Sequence, residues 1–159
     1  MDFNIRLVSM KWIIRSFIFI FTVSILLFFL YFNNLSLVNR PTVSFYKELK
    51  TVLKKKGYKA RLLVISTKRF SFHNKIQVKY SGAATKSRHL ISDAIDFLVF
   101  DVNGDNKQNA TDVDIVYKIL EEEIMKGRGG IGTYKNEKSF IEKQMVHIDC
   151  REKRSRWAK

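Results

Sequence analysis

The stretch "SRHLISDAIDFLVFDV", Ser87–Val102, decides the fold. Ala94 to Val102 is rich in strand formers and reads as a β-strand. Alternate side chains of a strand share a face, which groups Asp96 with Ala94, Leu98 and Phe100. That face is apolar, so the Asp96 carboxylate is expected to be partly buried. A buried charge needs a partner or a metal. His89 stands seven residues upstream, next to the same run. A satisfied core histidine, a solvated turn and a metal ligand all fit this pattern, and the flanking chain has to discriminate between them.

Downstream, "QMVHIDCR", Gln144–Arg151, reads as another apolar strand, with His147 at its centre and Asp149 on the same face. Two histidines and a carboxylate are a common catalytic zinc set, with a fourth position left to water. "GGIGTY", Gly129–Tyr134, reads as a short strand. Upstream, "ARLLVIS", Ala60–Ser66, reads as a buried strand. A helix over 42–56 carries Phe45, Leu49, Val52 and Leu53 as an apolar stripe and stops at Gly57. A second helix over 112–126 presents Val113, Val116, Ile119, Leu120 and Ile124 and stops at Gly127. Thr67–Lys86 is loop-like. The pattern predicts an α+β domain: two main helices on a small, mostly antiparallel sheet.

The first 32 residues differ in kind. "SFIFIFTVSILLFFLYF", Ser16–Phe32, holds 17 residues without a charge. Trp12, Ile13 and Ile14, across a snorkelling Arg15, bring it near the 20 needed to span a bilayer. Arg6, Lys11 and Arg15 precede it, as in a signal anchor, and "NNLSLVNRP", Asn33–Pro41, offers neither a small-x-small cleavage site nor a lipidation cysteine. The expected organisation is a cytoplasmic basic tail (1–11), an uncleaved transmembrane anchor (12–32), a polar linker (33–41) and an extracytoplasmic domain (42–159).

The chain has 159 residues and a net charge of +14, with basic clusters at Lys54–Lys56 and in "REKRSRWAK". Such a charge favours polyanionic partners: nucleic acid, anionic lipid or an acidic wall polymer. An extracytoplasmic domain argues against nucleic acid. The single cysteine, Cys150, allows no intrachain disulfide or Cys-rich zinc site, and reads as a small buried apolar residue.

Together these pieces carry a family resemblance. "SRHLISDAID" resembles the Ser-x-His-x-x-Gly-x-Ala-x-Asp motif of the zinc D,D-peptidases, the D-Ala-D-Ala carboxypeptidase and murein endopeptidase family that shares its zinc-site fold with Hedgehog domains. "GGIGTY", "MVHID" and "RSRW" resemble the end of its murein endopeptidase branch, and "ISTKRFSFHN", Ile65–Asn74, the segment supplying a substrate-binding arginine. The resemblance covers about residues 60–157. It implies that His89, Asp96 and His147 ligate zinc and that Arg69 clamps a substrate carboxylate. Ser87 becomes a hydroxyl that touches substrate or supports a ligand. The implied reaction is hydrolysis of a peptide bond beside a D-amino acid in peptidoglycan.

Two departures stand out. The motif glycine is Ser92, which is strained if that position requires φ > 0. The family's catalytic Glu or His before the last ligand is replaced by Gln144 or Met145, neither of which is a base. Asp149 is the nearest remaining carboxylate, either as general base or as an anchor behind the ligands; an alternative register makes Asp149 the ligand and His147 the base. A non-catalytic zinc module that docks on wall peptides is the alternative reading.

A second metal pattern follows Asp96. In "DVNGDNKQNATD", Asp101, Asn103, Asp105, Lys107, Asn109 and Asp112 fall at positions 1, 3, 5, 7, 9 and 12 of an EF-hand-like loop. The stretch resembles a dockerin calcium loop, with Asn106 at the position usually held by glycine. Calcium as a second cofactor, with a structural role, is the expectation. A calcium-dependent envelope scaffold is the third functional class.

Overall fold

The computed structural model describes residues 2–81, 84–135 and 143–159. The chain divides into two compact units, residues 1–32 and 33–159. In the first, helix α1 runs Asp2–Phe32, and its Met10–Phe28 segment is long and apolar enough to cross a membrane.

The second unit is α+β. Helix α2 spans Arg40–Lys55, α3 Ser71–Ser81 and α4 Ala110–Ile119. Helix α4 continues through a wider π-helical turn, Leu120–Met125. The strands are β1 Leu62–Ser66, β2 Ala94–Val99, β3 Gly130–Tyr134, β4 Met145–Asp149 and β5 Ser155–Ala158, in the order β1-β2-β4-β3-β5. The sheet is mixed and not the mostly antiparallel one expected. β5 pairs with β3 in parallel, because the chain leaves β4, turns through 150–154 and runs back along the edge in β3's direction.

Period-2 alternation divides the central strands between two jobs. Ile95, Phe97 and Val99 of β2, Ile131 of β3 and Val146 and Ile148 of β4 join one core with Tyr46, Leu49 and Leu53 of α2 and Val113, Val116 and Leu120 of α4. Leu49 and Leu53 have no exposed surface, and each such side chain contributes about 1.5–3 kcal/mol. The opposite parity carries Asp96, His147, Asp149, Gly130 and Gly132. Asp96 is therefore buried as expected, but the apolar core packs on the other face of its strand. Both faces of β2 are covered, which blurred the alternation in "AIDFLV".

Thr67–Lys86 is not loop-like: it contains α3. The buried residue on this helix is polar, Asn74, while Phe72, Ile76 and Tyr80 face outward, so no buried apolar stripe marked it. Gly82 and Ala83 lie outside the described residues. The 33–41 segment holds a 3-10 turn, Leu35–Leu37, and buries Val38; α2 starts at Arg40, with Pro41 in its first turn. Helix α4 starts at Ala110 and not at 112, because Asn109 caps it, accepting from the Thr111 amide at 2.8 Å. Cys150 is half-buried and donates its thiol to Asp93 Oδ1 at 2.6 Å, where apolar packing was expected.

Candidate metal centre

Antiparallel pairing of β2 with β4 sets Asp96 directly opposite His147. His89 reaches the same point from a 3-10 turn, Arg88–Ile91, that ends on Ser92 at φ 59. The left-handed backbone expected to strain Ser92 is present. It is held by the Ser92 amide donating to His89 O and by Ser92 O accepting from the Asn39 amide at 2.8 Å.

The ligand atoms of His89, Asp96 and His147 lie within 4.8 Å of one another, and all three residues are buried. His89 Nδ1 donates to Thr67 O at 2.5 Å, which fixes the tautomer and leaves Nε2 as the free donor atom. Nε2 sits 3.0 Å from Asp96 Oδ2, but the pair does not align as a hydrogen bond, and the buried Nε2 is left without one. His147 Nδ1 lies 2.6 Å from Asp96 Oδ1. A buried nitrogen with no aligned hydrogen bond, beside a carboxylate that also meets a second imidazole, is a group into which a metal ion fits.

On the far side of the His147 ring, Nε2 meets Asp149 Oδ2 at 3.1 Å. Asp149 has no exposed surface, and Arg151 holds it through Nε at 2.8 Å and its main-chain amide at 3.1 Å. Trp157 of β5 covers His147, with ring centroids 5.1 Å apart. Its indole N–H donates to Tyr134 O–H at 3.2 Å, and Arg151 stacks 5.5 Å from its ring. Two glycines of β3 make this arrangement possible. A Cβ on Gly130 would lie 2.3 Å from Asp149 Oδ2, and one on Gly132 2.3 Å from the Trp157 ring.

Arg69 stands beside the group, its Nη2 3.6 Å from Asp96 Oδ2. Its amide donates to His89 O at 3.0 Å, its Nη1 donates to Asn74 Oδ1 at 3.4 Å, and its buried Nε makes no hydrogen bond. A mostly buried guanidinium with an unused donor suits an incoming carboxylate. Ser87 precedes the His89 turn; its carbonyl accepts from the Leu90 amide, and its hydroxyl caps nothing. Asn74, Arg151, Tyr134 and Trp157 were not picked as site residues from the sequence. The signals were weak: an amide inside an apparent loop, an arginine two residues after Asp149, and an aromatic pair 23 residues apart. His73 of α3 is a further addition: burial, then Arg69 and His89, lower its pKa.

Electrostatics follow from this packing. Burial pushes the His147 imidazole down, but the Asp96 and Asp149 carboxylates outweigh burial and hold its pKa up at about 9. Burial pushes Asp149 up, but hydrogen bonds from His147 and Arg151 win and hold it well below the usual carboxylate range. Asp96 is likewise held low by His89 and His147 against its own burial. In the metal-free protein His147 is thus an imidazolium between two carboxylates. Its folded pKa exceeds the ordinary 6.5, so its stabilisation is fully present below pH 6.5 and is lost as pH rises through about 9. In a chelator, the melting temperature should fall by several degrees between pH 6.5 and 9.5. A flat profile across that window would contradict the bridging role.

The Asp101–Asp112 loop takes the expected turns, with Asn106 left-handed at φ 63. Its carboxylates are engaged within the fold. Asp101 pairs with Lys59 at 2.9 Å and accepts from the Gly104 amide at 2.7 Å. Asn103 and Lys107 amide groups meet Asp105. Asp112 accepts from the Val102, Asn103 and Asn109 amides, and so closes a capping box on α4. Among the described residues, the three-residue His/Cys/Asp/Glu group with converging ligand atoms is His89, Asp96 and His147.

No family model, curated protein or solved structure matches this chain.

Proposed function

We propose that this chain is a membrane-anchored, extracytoplasmic zinc metallopeptidase of the D,D-peptidase type. It hydrolyses peptide bonds in peptidoglycan as a D,D-carboxypeptidase or murein endopeptidase, on a Hedgehog-like zinc fold. One observation carries the reading: His89 Nε2, Asp96 and His147 Nδ1 converge with the Arg69 guanidinium at their edge. The order of motifs along the sequence supports it. An imidazole–carboxylate donor set suits zinc, which when bound acidifies water and polarises a carbonyl.

The protein's own groups divide the remaining work. Arg69 holds a substrate carboxylate beside the metal, and Asn74 holds Arg69: its Nδ2 donates to Ala84 O and Thr85 O while its Oδ1 accepts from the guanidinium. Asp149 is better suited to orienting His147 than to acting as a base, because both its oxygens are taken by His147 and Arg151. The same engagement disfavours the register in which Asp149 is the ligand. Trp157 shields the ligated imidazole from water.

A second reading rests on the same engagement. With Gln144 and Met145 at the family's base positions and Asp149 committed, the chain would hold zinc and bind wall peptides without cutting them. Full-length protein loaded with zinc and incubated with purified peptidoglycan separates the two by product mass. The expected result is a released D-amino acid or an opened cross-link, reduced to background in His89→Ala with unfolding still cooperative. Undiminished release from His89→Ala would sink the peptidase reading. Zinc and muropeptide binding with no product would select the second.

A further inference from the structure

Leu49 to Ser92 is a 44-residue stretch with twelve Lys or Arg residues and no Asp or Glu. Helix α3 lies inside it. Phe72, Ile76 and Tyr80, spaced at i, i+4 and i+8, line its outer face at 62%, 51% and 73% exposure. Lys75 and Lys79 flank the same face and are exposed, with Lys79 5.1 Å above the Tyr80 ring. The orientation is fixed from the inside, where buried Asn74 is hydrogen-bonded to Arg69, Ala84 and Thr85. Ile91, in the turn after His89, is another outward apolar residue, at 58% exposure.

The position of this surface in the unit gives it meaning. The Arg69 amide, two residues before α3, bonds to His89 O, and the Asn39 amide bonds to Ser92 O at the end of the same turn. Asn39, α3 and Ile91 therefore belong to one end of the unit. Asn39 follows the last residue of the apolar helix by seven positions, a chain reach of at most about 25 Å. An aromatic and aliphatic stripe with a lysine rim, on a helix that itself carries no acid, suits the headgroup layer of an anionic bilayer. There, rings settle at the apolar boundary and ammonium groups reach the phosphates.

We propose that α3, with Ile91, is a membrane-interfacial surface that rests on anionic lipid headgroups. It rests on the reading of α1 as an anchor and stands independently of the chemistry at the metal centre. Projecting apolar side chains on a helix without acids favour lipid over a wall polymer.

The test uses full-length chain in nanodiscs of zwitterionic lipid alone or with a quarter anionic phosphatidylglycerol. Hydroxyl-radical footprinting reads Phe72 and Tyr80, with Tyr58 and Tyr117 as controls. Oxidation of Phe72 and Tyr80 is expected to fall several-fold in the anionic discs while the controls hold. High salt and the double variant Lys75→Glu, Lys79→Glu should restore it. Equal oxidation in both discs overturns the proposal. Protection that appears only when soluble peptidoglycan fragments are added, in either disc, overturns it in favour of a substrate wall. A chain that enters neither disc overturns the anchor reading and this one with it, while leaving hydrolysis of peptidoglycan in detergent unaffected.

Discussion

Asp96→Ala should abolish stoichiometric zinc uptake and lower the stability of the metal-free protein by about 3–5 kcal/mol. The reason is the number of groups this one carboxylate serves. It faces His147 at 2.6 Å, His89 at 3.0 Å and Arg69 at 3.6 Å, all in buried surroundings. Removing it leaves a buried imidazolium and a mostly buried guanidinium with no countercharge between them. Chelator-treated wild type and variant, compared by urea unfolding in detergent, give the stability difference. Competition with a chromogenic chelator gives the zinc occupancy. Wild-type zinc uptake by the variant would remove Asp96 from the ligand set.

Gly130→Ala should weaken metal binding by about 10–100-fold without touching a ligand. The new Cβ would meet the Asp149 carboxylate at 2.3–2.8 Å in a fully buried strand pair whose register sets Gly130 opposite Asp149. Asp149 has to move, and His147 then loses the partner that orients its ring. Overpacking of this kind costs about 1–3 kcal/mol. Gly132→Ala is the informative comparison, since its Cβ would strike the Trp157 ring and leave Asp149 alone. If Gly130→Ala loses only stability and keeps wild-type zinc affinity, Asp149 has no part in orienting the ligand.

What the sequence could say about this molecule followed from how each element earns its place. Leu49 and Leu53 repeat at helical spacing because α2 buries one face, so that helix was legible to within two residues at its start. His89, Asp96 and His147 were legible as a group because their residue types are costly to bury without a purpose. β2 was harder: Asp96 and Phe97 point to opposite, equally covered faces, so the alternation did not show which face meets the helices. α3 was invisible, since its buried residue is an asparagine and its apolar ones face out. β5 is four residues long and half-buried, and its parallel pairing depends on where β3 already lies. The metal group's support by Arg151 and Trp157 shares that fate, because contacts between strands leave no periodic trace in the chain.

The His147–Asp96 contact joins residues 51 positions apart. A ribosome adds about 5–20 residues per second, so His147 is made roughly 3–10 s after its partner. Until then the growing chain holds two of the three candidate ligands, and loop closure across that separation must precede any tight grip on an ion. If the group holds a metal, loading it is therefore an event of completed strand pairing. An ion held there would be chosen by the pool the chain meets at the moment β4 docks, and not by the pool around the ribosome that began it.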